Sequence, residues 1–439
     1  MNNIIVAKFG GSSLASSEQF RKVKAIVLDD EKRRYVVPSA PGKRFSKDYK
    51  ITDLLYLCHA HAQNGISIED VFKHIEERYV ELARELEVRI DIKQHLDEVK
   101  KKIEQGASAD YTASRGEYLN GLILADYLGY EFVDAAEVIR FKKHSILDLE
   151  ATQEAMKERL AGVERAVVPG FYGALADGTI KTFSRGGSDV TGAILARCLE
   201  VELYENWTDV SGFLMADPNI VENPKPIEVV TYTELRELSY MGAKVLHEES
   251  IFPIRDLGIP INIKNTNRPE DKGTLIVDDK EPISYSGTIT GIAGKKGFTV
   301  IAIHKMLMNQ EQGFCRKLLA ILEGNGVSFE NMPAGIDSVS LVIEDAQLED
   351  KLDSVLEQIK AQCQPDSLEV YPNMALIATV GRGMNRTKGT SSKIFRGLAE
   401  GDVNIRMINQ GSSEINVIVG VENDDFEKAL RSIYKAFAN

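Results

Sequence analysis

Cysteine is scarce in this chain, four residues in 439, and Cys58, Cys198, Cys315 and Cys363 are scattered without a C-x-x-C pair. That spacing suggests neither a zinc site nor a disulfide framework, so no protein-held metal is expected and a reduced, cytoplasmic setting is the default. Positive charge is in deficit too, with 53 Lys and Arg against 66 Asp and Glu and a formal net charge of −13. This balance argues against nucleic acid or an anionic membrane as the main partner, and an anionic ligand must be met by local cations. No apolar run approaches a membrane span, and the N-terminus enters a strand without a basic-then-apolar signal segment. Also missing are the P-loop spacing G-x-x-x-x-G-K-[ST] and the third glycine of the dinucleotide fingerprint. The remainder is ordinary for a large soluble enzyme: 43% hydrophobic and 27% charged residues, enough chain for two or three domains.

Two glycine turns carry the chemistry. Val6-Ala7-Lys8-Phe9-Gly10-Gly11-Ser12-Ser13 reads as a strand end, a bare turn and a helix start. Adjacent glycines let backbone N–H groups converge on phosphoryl oxygens, and Lys8 adds a point charge there. Ser184-Arg185-Gly186-Gly187-Ser188-Asp189 places backbone amides at a helix N-terminus, where the helix dipole also favours an anion, and Arg185 offers a planar fork suited to a carboxylate. Either motif alone is also what an ordinary capped turn looks like. Two of them in one α/β unit suggest two anionic ligands facing each other.

The surrounding pattern alternates strands and helices, which favours a mostly parallel sheet covered on both faces. Ser16 to Gln19 resembles a capping box, with Phe20, Val23 and Val27 at helical spacing behind it. Tyr35-Val36-Val37 reads as a strand running into a Pro/Gly loop, residues 43–50 as a mobile polar stretch, and Thr52-Asp53 as the cap of the next helix. Residues 67–128 read as mainly helical, with a charged, solvated part around 76–102. Strands are expected at 130–134, 165–169 and 201–205, and Asp177-Gly178 signals a hairpin within 171–183. After about residue 282 the elements shorten. Residues 297–345 and 376–422 then share one order of strand, glycine loop, helix and two strands, a weak internal repeat; in the first copy 327–331 and 338–343 are expected to pair. Such βαββαβ units leave an open sheet, so paired sheets are expected.

Together with Trp207-Thr208-Asp209-Val210-Ser211-Gly212 and Met241-Gly242-Ala243-Lys244-Val245-Leu246-His247, the two turns make nearly the whole chain resemble the aspartate kinases. The resemblance implies an α/β fold of the amino-acid-kinase type, a mostly parallel sheet sandwiched by helices, followed by two ferredoxin-like ACT domains. The implied domains are 1–282 (catalytic), 283–368 and 369–439 (regulatory). It further implies transfer of the γ-phosphoryl of MgATP to the β-carboxylate of L-aspartate, the first step toward lysine, threonine and methionine. By the same resemblance Lys8 contacts the transferring group and Asp189 holds Lys8. Phe9, Gly10, Gly11 and Ser12 line the phosphate path, and Thr208, Asp209, Lys244 and Val245 meet the nucleotide. Leu214 and Asn219 stand where relatives often carry tyrosine and arginine. Arg185 clamps an aspartate carboxylate, Glu117 accepts from the α-ammonium, and Ser39, Thr52 and Ser188 complete the pocket. Magnesium arrives with ATP, held by phosphates and water. Trp207 and His247 are read as packing and helix residues.

In the regulatory half the resemblance implies an amino-acid effector bound by Gly313, Phe314, Cys315, Ser328, Phe329, Glu330 and Asp337, with Asn331 a further candidate; lysine is the expected inhibitor, although the sequence alone does not identify it. Residues 404–405 and 410–414 are assigned to signal transfer and to contacts within a homodimer formed through the ACT domains, with a second effector site there as the alternative; pairing of dimers into tetramers is left open. Two alternatives stand beside this reading, a kinase for another carboxylate such as glutamate or acetylglutamate, and a silent amino-acid sensor. At this length no fused homoserine dehydrogenase domain is expected.

Overall fold

The computed structural model describes residues 2–184, 186–243, 252–280 and 287–438. They form two compact units: Met1–Phe213, Pro226–Tyr232 and Lys244–Ile283 in the first, and Leu214–Lys225, Thr233–Ala243 and Ser284–Asn439 in the second.

The first unit is built on eight strands: β1 (Asn2–Phe9), β2 (Arg33–Pro38), β3 (Glu131–Phe132), β4 (Ala166–Val167), β5 (Val201–Thr208), β6 (Val229–Thr231), β7 (Ile261–Asn265) and β8 (Thr274–Val277). Their order is β6-β8-β7-β5-β1-β2-β4-β3, and every pairing is parallel except β7 with β8. β1 lies centrally, and its near-continuous apolar run, Ile5, Val6, Ala7 and Phe9, is buried, as a strand covered on both faces requires. The helix Ser17–Asp29 starts where the spacing predicts, Ser16 accepting from the Gln19 amide at 3.4 Å, and it buries Phe20, Val23 and Val27.

Three local expectations need correction. The helix after β2 is Ile51–Gln63 with Lys50 at its cap position and no capping side chain, so Thr52 lies in the first turn rather than before it. The stretch 43–50 is pinned down: Asp48 is buried and accepts from Arg44 Nε at 2.9 Å and Arg78 Nη1 at 2.7 Å, while Arg78 Nη2 donates to the carbonyls of Ala15 and Gly42. The hydrogen bonds from Arg44 and Arg78 hold the Asp48 carboxyl well below the usual carboxylate range despite its burial. The charged helices Glu69–Glu85 and Ile92–Glu104 are amphipathic, not solvated throughout, with Tyr79, Leu82, Leu96 and Val99 in the core. The Asp177-Gly178 turn does join an antiparallel pair, Tyr172–Ala174 with Ile180–Thr182.

In the second unit five strands form one sheet: β9 (Gly291–His304), β10 (Ser338–Glu344), β11 (Ser367–Val380), β12 (Met407–Asn409) and β13 (Asn416–Glu422), in the order β10-β9-β11-β13-β12. The internal repeat is real. Each copy runs from a long strand through a 3-10 turn to a glycine with positive φ, Gly313 at 79° or Gly389 at 86°, that caps the helix Phe314–Gly324 or Thr390–Glu400. The paired sheets of the sequence reading are instead halves of one sheet, because β9 and β11 are antiparallel over nearly their whole length. Two cores sit on it. Ile301 and Ile303 of β9 pack with Leu318 and Leu341, whereas Ile292 of the same strand packs with Ile377, Val419 and Leu430. Residues 327–331 form no strand; isolated bridges at Asn331–Val342 and Ala334–Val339 replace it, since Pro333 has no N–H to continue a ladder.

Candidate active site

β1 runs into Gly10, β2 into Ser39 and β5 into Asp209, and because these strands are parallel their carboxyl ends open on one edge, where α/β sheets of this kind take ligands. The Gly10 amide donates to Trp207 O at 2.9 Å and the Ser39 amide to Phe9 O at 3.0 Å, which ties the first glycine turn to both neighbouring strands. Trp207 is buried and stacked on Phe9, so it packs rather than presenting a platform.

Gly11 is required by proximity. A methyl there would stand 2.9 Å from Ala40 O, and Gly42 donates its amide to Gly11 O at 2.8 Å. Gly11→Ala is therefore expected to cost about 1–3 kcal/mol of stability through overpacking, measured by urea unfolding. Gly10→Ala, whose methyl meets only ordinary contacts at 3.5 and 3.7 Å, should spare stability.

The second turn places Gly186 in the left-handed region at φ 57°, immediately before the helix Gly187–Leu199. Asp189 lies in the first turn of that helix and forms a buried ion pair with Lys8 Nζ. Lys8 also donates to Asn206 Oδ1 at 3.3 Å, and Asn206 Nδ2 donates to Asp189 Oδ1 at 2.9 Å. The ammonium thus stands beside the glycine turn, 3.7 Å from the position of a Gly10 Cβ.

A buried carboxyl group stands against the loop that follows β2. The helix Ala109–Leu128 passes against the loop after β2: Asn120 Nδ2 donates to Ser39 O at 2.6 Å, and a methyl on Gly116 would meet Ala40 Cβ at 2.9 Å. Glu117 on that helix is 5% exposed, and its Oε2 has no hydrogen-bond partner among the described residues. Burial pushes its carboxyl up to about 8, against the opposing pull of the Ala40 amide and Arg115. Thr52, half-buried, follows Ile51, which contacts the Gly116 position. Ser188 is buried against Gly170, whose amide donates to Pro38 O at 3.0 Å. Lys8, Asp189, Ser39, Thr52, Glu117 and Ser188 are therefore gathered around the ends of β1 and β2.

Thr208 and Asp209 stand at the end of β5, hydrogen-bonded to each other at 3.1 Å. Leu214 and Asn219 belong to the second unit, and the Asn219 amide group donates to its neighbour Asp217 at 2.9 Å. Arg185, Lys244, Val245 and His247 lie outside the described residues. Asn206, which no motif singles out, touches both Lys8 and Asp189; its signal in the sequence is a lone amide in the buried part of the strand, next to Glu205.

In the regulatory half, Gly313 caps the helix Phe314–Gly324, Phe314 is a core residue, and Cys315 is half-buried. Ser328 and Phe329 are exposed. Glu330 and Asn331 line a cavity of about 230 Å³ together with Arg236, Glu237, Tyr240, Met241 and Ile418. Asp337 is not among the residues lining that cavity and accepts from the Leu307 amide at 2.8 Å.

Comparison with known proteins identifies the family. Residues 3–265 match the amino acid kinase family and residues 377–437 an ACT domain. Aspartokinase 3 of Bacillus subtilis (strain 168) is 39% identical over 449 residues, covering 98% of each chain. The crystal structure of Clostridium acetobutylicum aspartate kinase superposes with a TM-score of 0.94 at 64% identity, covering 99% of this chain and 100% of that one. Escherichia coli aspartokinase III, 26% identical, has been solved with aspartate and ADP (TM-score 0.73, 99% of this chain and 100% of that one) and with lysine and aspartate (TM-score 0.75, 100% of both). With an amino acid kinase unit holding the cation and glycine turns, and an ACT region beyond it, the chain belongs to the aspartokinase family and is an ATP-dependent aspartate kinase.

Proposed function

We propose that the side chains gathered at the ends of β1, β2 and β5 transfer the γ-phosphoryl of MgATP to the β-carboxylate of L-aspartate, giving 4-phospho-L-aspartate and ADP. The supporting observation is a pair of opposites around the ends of β1 and β2: a lysine beside a bare glycine turn, suited to a phosphoryl group, and the buried Glu117 carboxyl, whose Oε2 has no partner among the described residues, suited to an ammonium. An amino acid that receives phosphate needs both. Aspartate's own carboxylate, with an ordinary pKa of about 3.9, is ionised at neutral pH and needs no general base. The barrier lies in bringing that anion to the triphosphate and aligning the attacking oxygen. Lys8 offsets the charge on the transferring group, Asp189 orients Lys8, and the backbone of Gly10, Gly11 and Ser12 lines the phosphate path. Arg185 clamps a substrate carboxylate, Glu117 takes the α-ammonium, and Ser39, Thr52 and Ser188 complete the pocket. Thr208, Asp209, Leu214, Asn219, Lys244 and Val245 are assigned to the nucleotide. Magnesium supplies charge neutralisation on the phosphates, held by them and by water. Trapping the acyl phosphate with hydroxylamine tests the reaction: hydroxamate should form with aspartate and ATP, and its formation with glutamate alone would overturn the substrate.

The regulatory half is assigned to feedback inhibition by lysine, in the cytoplasm, at a homodimer interface. Glu330, on the cavity wall, is placed to meet an effector ammonium, with amides near Gly313 to Cys315 taking the carboxylate and Asp337 on a neighbouring edge. Met306, Leu307 and Ile336, 70%, 56% and 70% exposed around the turn tied by Asp337, are apolar surface suited to a second copy. Glu330→Ala should weaken lysine inhibition by roughly ten- to over a hundredfold while uninhibited turnover stays within about twofold. Unchanged inhibition would remove Glu330 from the effector site.

A further inference from the structure

The row of residues that crosses the sheet at Lys8 is apolar on either side of one polar pair. Lys8 of β1 stands in register with Val37 of β2 and Asn206 of β5, and Asn206 with Ile263 of β7. In-register neighbours of parallel strands share a face, so an ammonium and an amide lie side by side between valine and isoleucine. Asn206 is 4% exposed and Lys8 7%. A buried amide in such a row is costly unless both its ends are satisfied.

Both ends are. The ammonium can only donate, so Asn206 Oδ1 faces Lys8, and an ionised carboxylate can only accept, so Nδ2 faces Asp189. Lys8, Asp189 and Asn206 close a ring of three in which each touches the other two. Tyr204, two residues earlier on β5, donates its hydroxyl to Asp189 O at 3.1 Å and holds the backbone of the same helix turn.

We propose that Asn206 is a positioning residue for phosphoryl transfer, which fixes the Lys8 ammonium over the glycine turn and restrains Asp189 from drawing it away. Lys8 has three N–H groups. Asp189 and Asn206 take two, leaving one for a phosphoryl oxygen. Asn206 also satisfies part of the Asp189 charge, so the ion pair does not hold the lysine at the expense of the phosphate. This inference rests on the role given to Lys8 above.

The test uses the full chain with both substrates saturating. Asn206→Leu, close in volume but with neither donor nor acceptor, should lower kcat about tenfold or more, with KM for aspartate within about twofold. Asn206→Asp carries the sharper signature. Protonated, its carboxylic acid reproduces the amide, donating to Asp189 and accepting from Lys8; ionised, it sets a second negative charge beside Asp189 and competes for the ammonium. Among the described residues the charged groups in contact with it are Lys8 and Asp189, with the Tyr204 hydroxyl nearby and apolar Val37 and Ile263 in the row. Its kcat should therefore fall with rising pH through an ionisation that neither the parent nor Asn206→Leu shows. A parent-like kcat in Asn206→Leu, or a parent-like pH profile in Asn206→Asp, would overturn the proposal. Lys8→Ala run in parallel separates the two readings: if it is inactive while Asn206→Leu is normal, Lys8 stands and Asn206 falls; if Lys8→Ala itself is normal, the site reading falls first.

Discussion

Lys8→Ala should lower kcat by about a thousandfold while the protein stays folded and still binds ADP. The size follows from what the side chain does and from what its loss leaves behind. A preorganised charge aimed at a developing anion in a dry site is worth about a hundred- to a thousandfold in rate. Here removal also strands Asp189, whose carboxylate is paired with Lys8 in the ring, next to an incoming phosphoryl group, so repulsion replaces attraction. The effects of the two residues are therefore coupled. Lys8→Ala combined with Asp189→Ala should be less impaired than the product of the two single variants. Stopped-flow or coupled-assay turnover checks both statements, and near-normal turnover in Lys8→Ala would remove it from the mechanism.

The second large effect is at Glu117. In the free protein burial holds its carboxyl protonated up to about pH 8, whereas an α-ammonium needs the carboxylate. Aspartate binding near pH 7 should release a proton, and kcat/KM for aspartate should rise with pH until it levels off above about 8. Glu117→Gln should raise the aspartate KM by about tenfold to over a hundredfold and flatten this profile, with little change for ATP. The stability linkage has a definite sign. The folded-state pKa lies above the ordinary value of 4.5, so the contribution is fully present below pH 4.5 and is lost as pH rises through about 8. Within that window the loss is about 1.4 kcal/mol per pH unit, and Glu117→Gln should remove it. Urea unfolding at pH 6 and pH 8 measures the difference. A parent profile flat from pH 6 to 9 would deny Glu117 its place on the ammonium.

What the sequence by itself determined is whatever short-range physics dictates. Lys8-Phe9-Gly10-Gly11 is legible because a strand, a bare turn and a cation are written within a few residues, and Gly186-Gly187-Ser188-Asp189 because a helix N-terminus is equally local. The helical stripe of Phe20, Val23 and Val27 is a period that needs no tertiary information. Only the tertiary structure decided the rest. Gly11 is needed because Ala40 and Gly42 arrive from another strand, and Gly170 because Ser188 packs on it. Asn206 reads as one of several polar residues in β5 until register sets it beside Lys8. Glu117 reads as a charge on a helix until the fold buries it and leaves its Oε2 without a partner among the described residues. The same limit explains the regulatory half. The repeat was visible, but the sharing of one sheet through β9 and β11 was not, because antiparallel pairing between strands some seventy residues apart leaves no periodic trace in either strand.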